Sequence, residues 1–273
     1  MKRIAVIGTG FRKAGNATPP QEILDVTAAG FDPFLIETRL PSFPLNEVNR
    51  ILSETANIET GLRAVREDGA DAIFINTVGD YGLHALRSAL RVPVIGAGEA
   101  TMNAAAQLGE RFSIVTIWPR SMHFIYTGLL RLYRMQERCV SVRFVSANDE
   151  LGTLSKDQNF ITDMRSGEIT QQDRIVAMCN RAIEEDGADT VMLGCTCMSP
   201  IAQAIAARVK VPVLNALTTG YKAAEMALSL NQVHSVEAYR PVGGTRDSQY
   251  TAIAEAVTAL DVADPRGTAQ AAE

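Results

Sequence analysis

Short apolar runs alternate with longer stretches of mixed apolar and polar residues along the chain. The runs at 3–8, 72–76, 113–116, 140–145 and 190–193 each have the length of one buried strand. The stretches between them carry the pattern of helices. Regular alternation of strand and helix is typical of βαβ units, in which helices cover both faces of a mostly parallel sheet. The pattern therefore predicts an α/β fold.

An internal repeat divides the chain into two similar halves. The sequence Glu-Asp-Gly-Ala-Asp occurs at 67–71 and again at 185–189. Each copy ends a predicted helix and precedes a strand, a turn, a second helix and a Val-Pro-Val segment, at 92–94 and at 211–213. The repeat predicts two pseudo-symmetric lobes, each a mostly parallel sheet flanked by helices, with the active site in the cleft between them.

The halves are not separated by a linker rich in proline or serine, which predicts that the chain crosses between the lobes more than once. We assign residues 1–98 and 216–262 to the first lobe and residues 99–215 to the second. The end of the chain, 263–273, is rich in alanine, and we expect it to be a frayed tail.

The repeat places Thr77 and Cys195 at equivalent positions, directly after matching strands. Ligands of open α/β sheets bind beyond the carboxyl ends of the strands, so we expect both residues on opposite sides of one cleft. Cys195 follows Gly194 and precedes Ser199 and Pro200, which can cap and begin a helix. Because the N–H groups at a helix start favour a thiolate, Cys195 is a candidate base or nucleophile. The simpler alternative is a buried structural cysteine.

Other polar groups of these turns are candidate substrate contacts. Thr77, Val78 and Thr196 can donate hydrogen bonds to a substrate oxygen. Asp80 could act as a base, although its position favours the capping of a helix. Cys197 points either into the site or into the core. The predicted substrate-binding residues are Thr9, Gly10, Val78, Gly79, Asp80, Thr116, Thr196 and Cys197.

The first turn of the chain, at 8–13, begins like a dinucleotide-binding fingerprint, but Lys13 occupies the position of its third glycine. We expect a loop whose amides, together with Thr9, reach a substrate oxygen. His84, His123 and His234 show no spacing typical of metal ligands. We therefore expect neither a cofactor nor a metal.

Composition limits the classes of partner and the cellular compartment that we expect for this protein. The net charge of −5 is spread along the chain without a basic run, which argues against nucleic acid as a partner. The first apolar run is too short for a secretion signal or a membrane span, so we expect a cytoplasmic protein that does not bind membranes. The four cysteines match neither a secreted disulfide scaffold nor a zinc site, and we expect free thiols.

Several segments in combination resemble the aspartate/glutamate/hydantoin racemase superfamily, and its hydantoin racemase branch most closely. These segments are 79–82, 92–100, 111–116 and 193–198. The resemblance implies two lobes facing a cleft, no cofactor, and a substrate with an acidic carbon next to a carboxylate or a ring carbonyl. It also implies two catalytic cysteines on opposite faces of that carbon. Cys195 matches the second of them, whereas Thr77 stands at the position of the first.

The leading hypothesis is a racemase-like isomerase that acts on a small carboxylic acid or a hydantoin-like ring, with Cys195 transferring the proton. Because Thr77 stands in place of a second thiol, three other hypotheses for the function remain. They are a one-thiol lyase similar to arylmalonate decarboxylase, a thiol-dependent hydrolase of a hydantoin-like ring, and a metabolite-binding protein with impaired catalysis. An incomplete glycine fingerprint disfavours a nicotinamide-dependent oxidoreductase. We expect the protein to form a homo-oligomer.

Overall fold

Two parallel sheets form the centre of the molecule. The computed structural model describes residues 1–8, 18–40, 42–154, 156, 158–239 and 243–263. The first sheet contains β1 (Lys2–Ile7), β2 (Phe31–Leu35), β3 (Ala72–Ile75) and β4 (Val94–Gly96), and the second contains β5 (Phe112–Thr116), β6 (Cys139–Phe144), β7 (Thr190–Leu193) and β8 (Val213–Leu214). The strand orders, β2-β1-β3-β4 and β6-β5-β7-β8, are equivalent. Every strand pairing within the described ranges is parallel, which confirms the predicted fold class.

Helices connect the strands and follow the last of them. They are α1 (Gln21–Val26), α2 (Glu47–Arg66), α3 (Leu83–Ala89), α4 (Ala97–Leu108), α5 (His123–Leu132), α6 (Phe160–Arg165), α7 (Ile169–Glu184), α8 (Ala202–Ala206), α9 (Ala216–Ser229) and α10 (Asp247–Ala263). Shorter 3₁₀ segments lie at Arg120–Met122, Asn148–Thr153 and Thr196–Ile201. Among the described residues, none of the helices is both long and apolar enough to cross a membrane.

The repeated Glu-Asp-Gly-Ala-Asp segment makes the same contacts in both halves. The carboxylate of Asp71 accepts a hydrogen bond from the backbone N–H of Arg3 at 2.7 Å. In the second half, Asp189 accepts one from the N–H of Arg111 at 3.1 Å. Each aspartate therefore ties the start of the third strand of its sheet to the start of the first. This contact explains why both copies end in aspartate.

The two helices that follow β4 and β8 exchange sheets. Met102 and Ala105 of α4 belong to the hydrophobic core of the second sheet. Conversely, Leu217 and Tyr221 of α9 belong to the core of the first sheet. The two helices also pack against each other. This exchange supports our proposal that the lobes comprise 1–98 with 216–262 and 99–215. The predicted tail lies almost wholly outside the described residues, since α10 ends at Ala263.

Candidate active site

Two turns, one from each half, meet beyond the carboxyl ends of the strands. Thr77 lies in the turn after β3, and Cys195 lies in the turn after β7. The hydroxyl of Thr196 donates a hydrogen bond of 3.3 Å to the backbone carbonyl of Asn76. This contact joins the two turns directly. The structure therefore brings together the two segments that the internal repeat singled out.

The turn after β7 is capped by the sulfur of Cys195. The backbone of Cys195 is extended, and its Sγ accepts a hydrogen bond from the N–H of Cys197 at 3.1 Å. The 3₁₀ segment begins directly after it, at Thr196. The prediction that Ser199 caps this helix is wrong, because the observed cap, Cys195, lies four residues earlier. Ser199 instead accepts a hydrogen bond of 2.8 Å from the side-chain amide of Asn215.

Cys195 and Cys197 are joined by a disulfide, with their Cα atoms 5.2 Å apart. The prediction of four free thiols is therefore wrong for this pair and correct for Cys139 and Cys179. The low cysteine content argued against a network of disulfides that holds the fold together. It does not exclude a single disulfide between two cysteines that one tight turn brings together. Burial raises the pKa of both free thiols to about 12, so neither is a ready nucleophile.

Two buried hydroxyl groups support the Cys195 turn from behind. The hydroxyl of Tyr126 in α5 donates a hydrogen bond of 2.9 Å to the carbonyl of Gly194 and lies 2.6 Å from the hydroxyl of Thr116. Thr116 and Tyr126 have no exposed surface. The structure thus places Thr116 behind the turn, and not in the wall of the cleft as predicted. The sequence signal was that a buried tyrosine normally finds a hydrogen-bond partner.

Gly194 leaves no space for a side chain at this position. A Cβ atom there would lie 2.7 Å from Cβ of Thr116 and 2.9 Å from Cγ2 of Ile114. The N–H of Gly194 also donates to the carbonyl of Val115 at 2.8 Å, which continues the strand pairing up to the turn. Cys195 is therefore held directly against the end of the sheet.

The turn after β3 is stabilised by its own threonine. The hydroxyl of Thr77 accepts a hydrogen bond of 3.3 Å from the N–H of Gly79, and the carbonyl of Thr77 accepts one of 3.2 Å from the N–H of Asp80. Thr77 and Gly79 are partly exposed, whereas Val78 is buried against the core of the second sheet. The side chain of Val78 therefore packs across the lobe boundary, which leaves only its backbone available for the predicted substrate contact.

Asp80 caps a helix, which is the role that its position favoured. Its carboxylate accepts hydrogen bonds from the N–H groups of Gly98 and Glu99 at the start of α4, at 2.8 and 2.6 Å. It accepts a third, of 2.7 Å, from the hydroxyl of Tyr133, which follows α5. The capped helix is thus α4 and not the adjacent α3, whose N-cap is Gly82.

The surroundings of Asp80 change its acidity. Burial is the largest effect and raises its pKa from 3.8 to about 7, while the hydrogen bonds from Tyr133, Gly98 and Glu99 lower it in part. Both carboxylate oxygens hold the start of α4. Asp80 is therefore better placed to fix the Thr77 turn than to remove a proton from a substrate.

An aromatic contact joins the two halves of the chain. Phe43, which precedes α2, packs against Trp118 at a ring-centroid distance of 5.1 Å. Trp118 packs edge-on against Phe160 of α6 at 5.8 Å. Trp118 follows β5, and α6 contacts the 3₁₀ segment that Cys195 caps. Phe160 and its helix thus link this aromatic cluster to the segment that follows Cys195.

Two of the predicted substrate contacts, Thr9 and Gly10, lie outside the described residues. The preceding residue, Gly8, lies against the Thr77 turn: a Cβ on it would be 3.0 Å from the carbonyl oxygen of Asn76. Within the described ranges, no group of three or more His, Cys, Asp or Glu side chains is arranged to hold a metal ion.

The equivalent parallel sheets and the two joined turns define a pseudo-symmetric, two-lobed α/β protein of the racemase type. The chain belongs to the Asp/Glu/hydantoin racemase family, whose model matches residues 39–224. The expected family is thereby confirmed.

Relatives within the family carry racemase names. The chain is 34% identical over 167 residues to the hydantoin racemase of Pseudomonas sp. (strain NS671), a match that covers 61% of each protein. It is 30% identical to the hydantoin racemase of Rhizobium meliloti, over 61% of this chain and 64% of that one. The chain thus matches less than two thirds of the length of these two relatives.

A solved structure extends the likeness to nearly the whole chain. The allantoin racemase from Klebsiella pneumoniae is 27% identical, with a TM-score of 0.73. The similarity covers 89% of this chain and 95% of that one.

Proposed function

We propose that the chain is an isomerase of the racemase family that moves a proton at the carbon next to a ring carbonyl or a carboxylate. Cys195 is the proton-transfer group. The observation that carries this proposal is the placement of Cys195 at the cap of a turn that contacts the equivalent Thr77 turn through Thr196 and Asn76. The names of the relatives favour a hydantoin-like ring as the substrate.

The proposed step requires Cys195 in its reduced form. Its thiolate takes the proton from the substrate carbon, the electron pair moves onto the adjacent carbonyl oxygen, and the thiol then returns a proton to the carbon. The N–H of Cys197 already donates to this sulfur, which favours the thiolate. Thr77, the backbone of Val78 and Gly79, and Thr196 are the proposed donors to the developing oxyanion, together with Thr9 and Gly10.

Thr77 favours a second candidate function. A threonine hydroxyl is too weakly acidic to replace a thiolate as a base at neutral pH. Cys197 does not replace it, because Cys197 lies on the same turn as Cys195. A one-thiol lyase, in which loss of a carboxylate generates the carbanion and Cys195 protonates it, uses the same site. A hydrolase with Cys195 as nucleophile and a binding protein without catalysis are the other outcomes of the test.

The test follows the α-hydrogen of 5-substituted hydantoins by NMR in deuterated water, with the enzyme kept reduced by a dithiol. We expect exchange of that hydrogen, and we expect Cys195→Ser to abolish it with little change in melting temperature. Cys139→Ser is the matched control, because it removes a thiol outside the site. Loss of carboxylate from an arylmalonate without any exchange would establish the lyase, ring opening the hydrolase, and binding without reaction the metabolite-binding protein.

Thr77→Cys tests the asymmetry of the two faces. With one thiol, we expect the wild type to exchange the α-hydrogen mainly with retention of configuration. A thiol at residue 77 supplies a base on the opposite face, so inversion should rise relative to exchange. Chiral chromatography of the exchanged substrate measures both rates. Inversion as fast as exchange in the wild type would show that another group already acts on the Thr77 face.

The proposed setting is a cytoplasmic homo-oligomer. A reaction that needs the reduced form of Cys195 fits a reducing compartment. Val48, Ile51 and Leu52 are exposed apolar side chains in the first turns of α2, and such a patch is typical of a surface that another subunit covers.

A further inference from the structure

The disulfide between Cys195 and Cys197 contains the sulfur atom that is proposed to transfer the proton. While the sulfur of Cys195 is bonded to that of Cys197, it has no thiolate and cannot take up or release a proton. The state of this pair therefore decides whether the proposed reaction can proceed, and the inference rests on the proposed function to that extent.

The two cysteines lie too close together in sequence for their disulfide to stabilise the fold as a crosslink. A disulfide stabilises a fold mainly by closing a loop in the unfolded chain, and two cysteines separated by one residue close almost none. Other contacts already hold the turn. They are the bond from Tyr126 to the carbonyl of Gly194, the bond from the N–H of Met198 to the carbonyl of Cys195 at 3.1 Å, and the bond from Asn215 to Ser199. The turn is therefore held by contacts that do not depend on the crosslink.

The pair also differs from the other two cysteines in reactivity. Cys195 and Cys197 are partly exposed at the end of the sheet. The N–H of Cys197 points at the sulfur of Cys195 and favours its thiolate. Cys179 is fully buried, and burial raises the pKa of both Cys139 and Cys179 to about 12. Oxidants and reductants therefore meet the 195–197 pair first.

We propose that Cys195 and Cys197 form a reversible redox site, with Cys197 as the resolving cysteine. A peroxide oxidises the thiolate of Cys195 to a sulfenic acid, and its O–O bond breaks to release hydroxide. The thiol of Cys197 then attacks that sulfur, the S–S bond forms, and water leaves. A dithiol reverses this in two exchange steps: it becomes an internal disulfide and returns both cysteines to thiols. The oxidised form is inactive, and the dithiol form is active.

The same geometry protects Cys195 from irreversible damage. A sulfenic acid without a neighbouring thiol proceeds with excess peroxide to a sulfinic acid, which a dithiol does not reduce. Cys197, on the same turn, intercepts that intermediate.

The experiment treats the full chain with hydrogen peroxide and then with dithiothreitol, and it reads out two quantities. Peptide mapping after alkylation identifies which cysteines are paired, whether or not the protein has activity. Exchange of the α-hydrogen of a hydantoin in deuterated water measures the reaction. We expect peroxide to produce the 195–197 disulfide with loss of at least nine tenths of the exchange rate, and dithiothreitol to restore both within about twofold.

Two variants complete the design, each compared with its own reduced form. Cys197→Ser should form no disulfide and should lose exchange activity that dithiothreitol does not restore. Cys139→Ser, the matched control, should switch like the wild type. The proposal is overturned if Cys195 and Cys197 remain separate thiols after peroxide, if their disulfide resists dithiothreitol, or if Cys197→Ser recovers as fully as the wild type. A reversible disulfide without exchange in either state would uphold the redox site and refute the proposed function.

Discussion

The hydroxyl of Tyr126 connects α5 to the backbone that carries Cys195. Tyr126→Phe leaves the carbonyl of Gly194 and the hydroxyl of Thr116 without this partner in a fully buried place. We expect a loss of about 1–3 kcal/mol in the free energy of unfolding, measured by urea denaturation. Because the peptide before Cys195 loses its anchor, kcat should fall more than KM changes.

Thr116→Val is the matched control for this prediction. It removes the other hydroxyl of the pair and keeps the bond between Tyr126 and Gly194. It should lower stability and leave kcat closer to that of the wild type. Equal effects of both variants on kcat would refute the positioning role of Tyr126.

Asp80 should make stability depend on pH. Its pKa is raised from 3.8 to about 7, so the folded state holds the proton more tightly than the unfolded state does. Its contribution to stability is therefore largest below the unfolded pKa and is lost as the pH rises toward 7. Asp80→Asn does not titrate. We expect the difference in unfolding free energy between wild type and variant to shift against the wild type from about pH 4 to pH 7.5. A difference that stays constant over this range would contradict the prediction.

At the scale of elements, the junction between β7 and the 3₁₀ segment depends on a glycine. In Gly194→Ala, the new methyl group would meet Thr116 and Ile114 at distances under 3.0 Å, so the turn must shift. We expect a lower melting temperature and a loss of exchange activity of at least tenfold. In Gly128→Ala, the matched control in α5, the methyl group meets nothing within 4 Å. That control should keep activity and gain up to about 1 kcal/mol from helix propensity. Equal losses in both variants would contradict this reading of the junction.

The beginnings of these elements were harder to predict than their existence. Strand and helix periodicity is local, so the strands at 72–76 and 190–193 could be read from the sequence. The cap at Cys195 and the position of Thr116 depend on Tyr126, which lies 68 residues before Gly194. No local pattern carries that information. Likewise, the sequence suggested that Asp80 caps a helix, but only the packing of the lobes decides that the helix is α4.

At the scale of the whole molecule, the exchange of α4 and α9 predicts that both lobes unfold together. The chain crosses between the lobes at both helices, which pack against each other, and Val78 of the first lobe packs in the core of the second sheet, so the unfolding of one lobe removes contacts from the other. Trp118, the single tryptophan of the chain, reports on the second sheet, whereas far-ultraviolet circular dichroism reports on both. We expect the two signals to give coincident urea transitions. Separate midpoints would show that the lobes are independent.

The architecture of the whole molecule was largely readable from its internal repeat. The repeated segment at 67–71 and 185–189 predicted equivalent halves, and the missing linker predicted that the chain crosses between them. The disulfide at Cys195 was not predictable, because the spacing of two cysteines in sequence does not show whether a turn brings their sulfur atoms together. The loop that contains Thr9 and Gly10 lies outside the described residues, so its predicted contacts remain predictions.

The exchange of α4 and α9 also explains how the Thr77 turn and the Cys195 turn can differ. A single copy of the repeated unit would lack the helix that covers its own sheet, and it could obtain one only from a second copy, as in a domain-swapped dimer. In such a pair of identical chains, every residue of one turn would appear in the other. When both copies lie in one chain, their sequences no longer have to be identical. Only then can one turn carry the sulfur of Cys195 while the equivalent turn carries the hydroxyl of Thr77, so covalent fusion is the condition for the difference between the two turns.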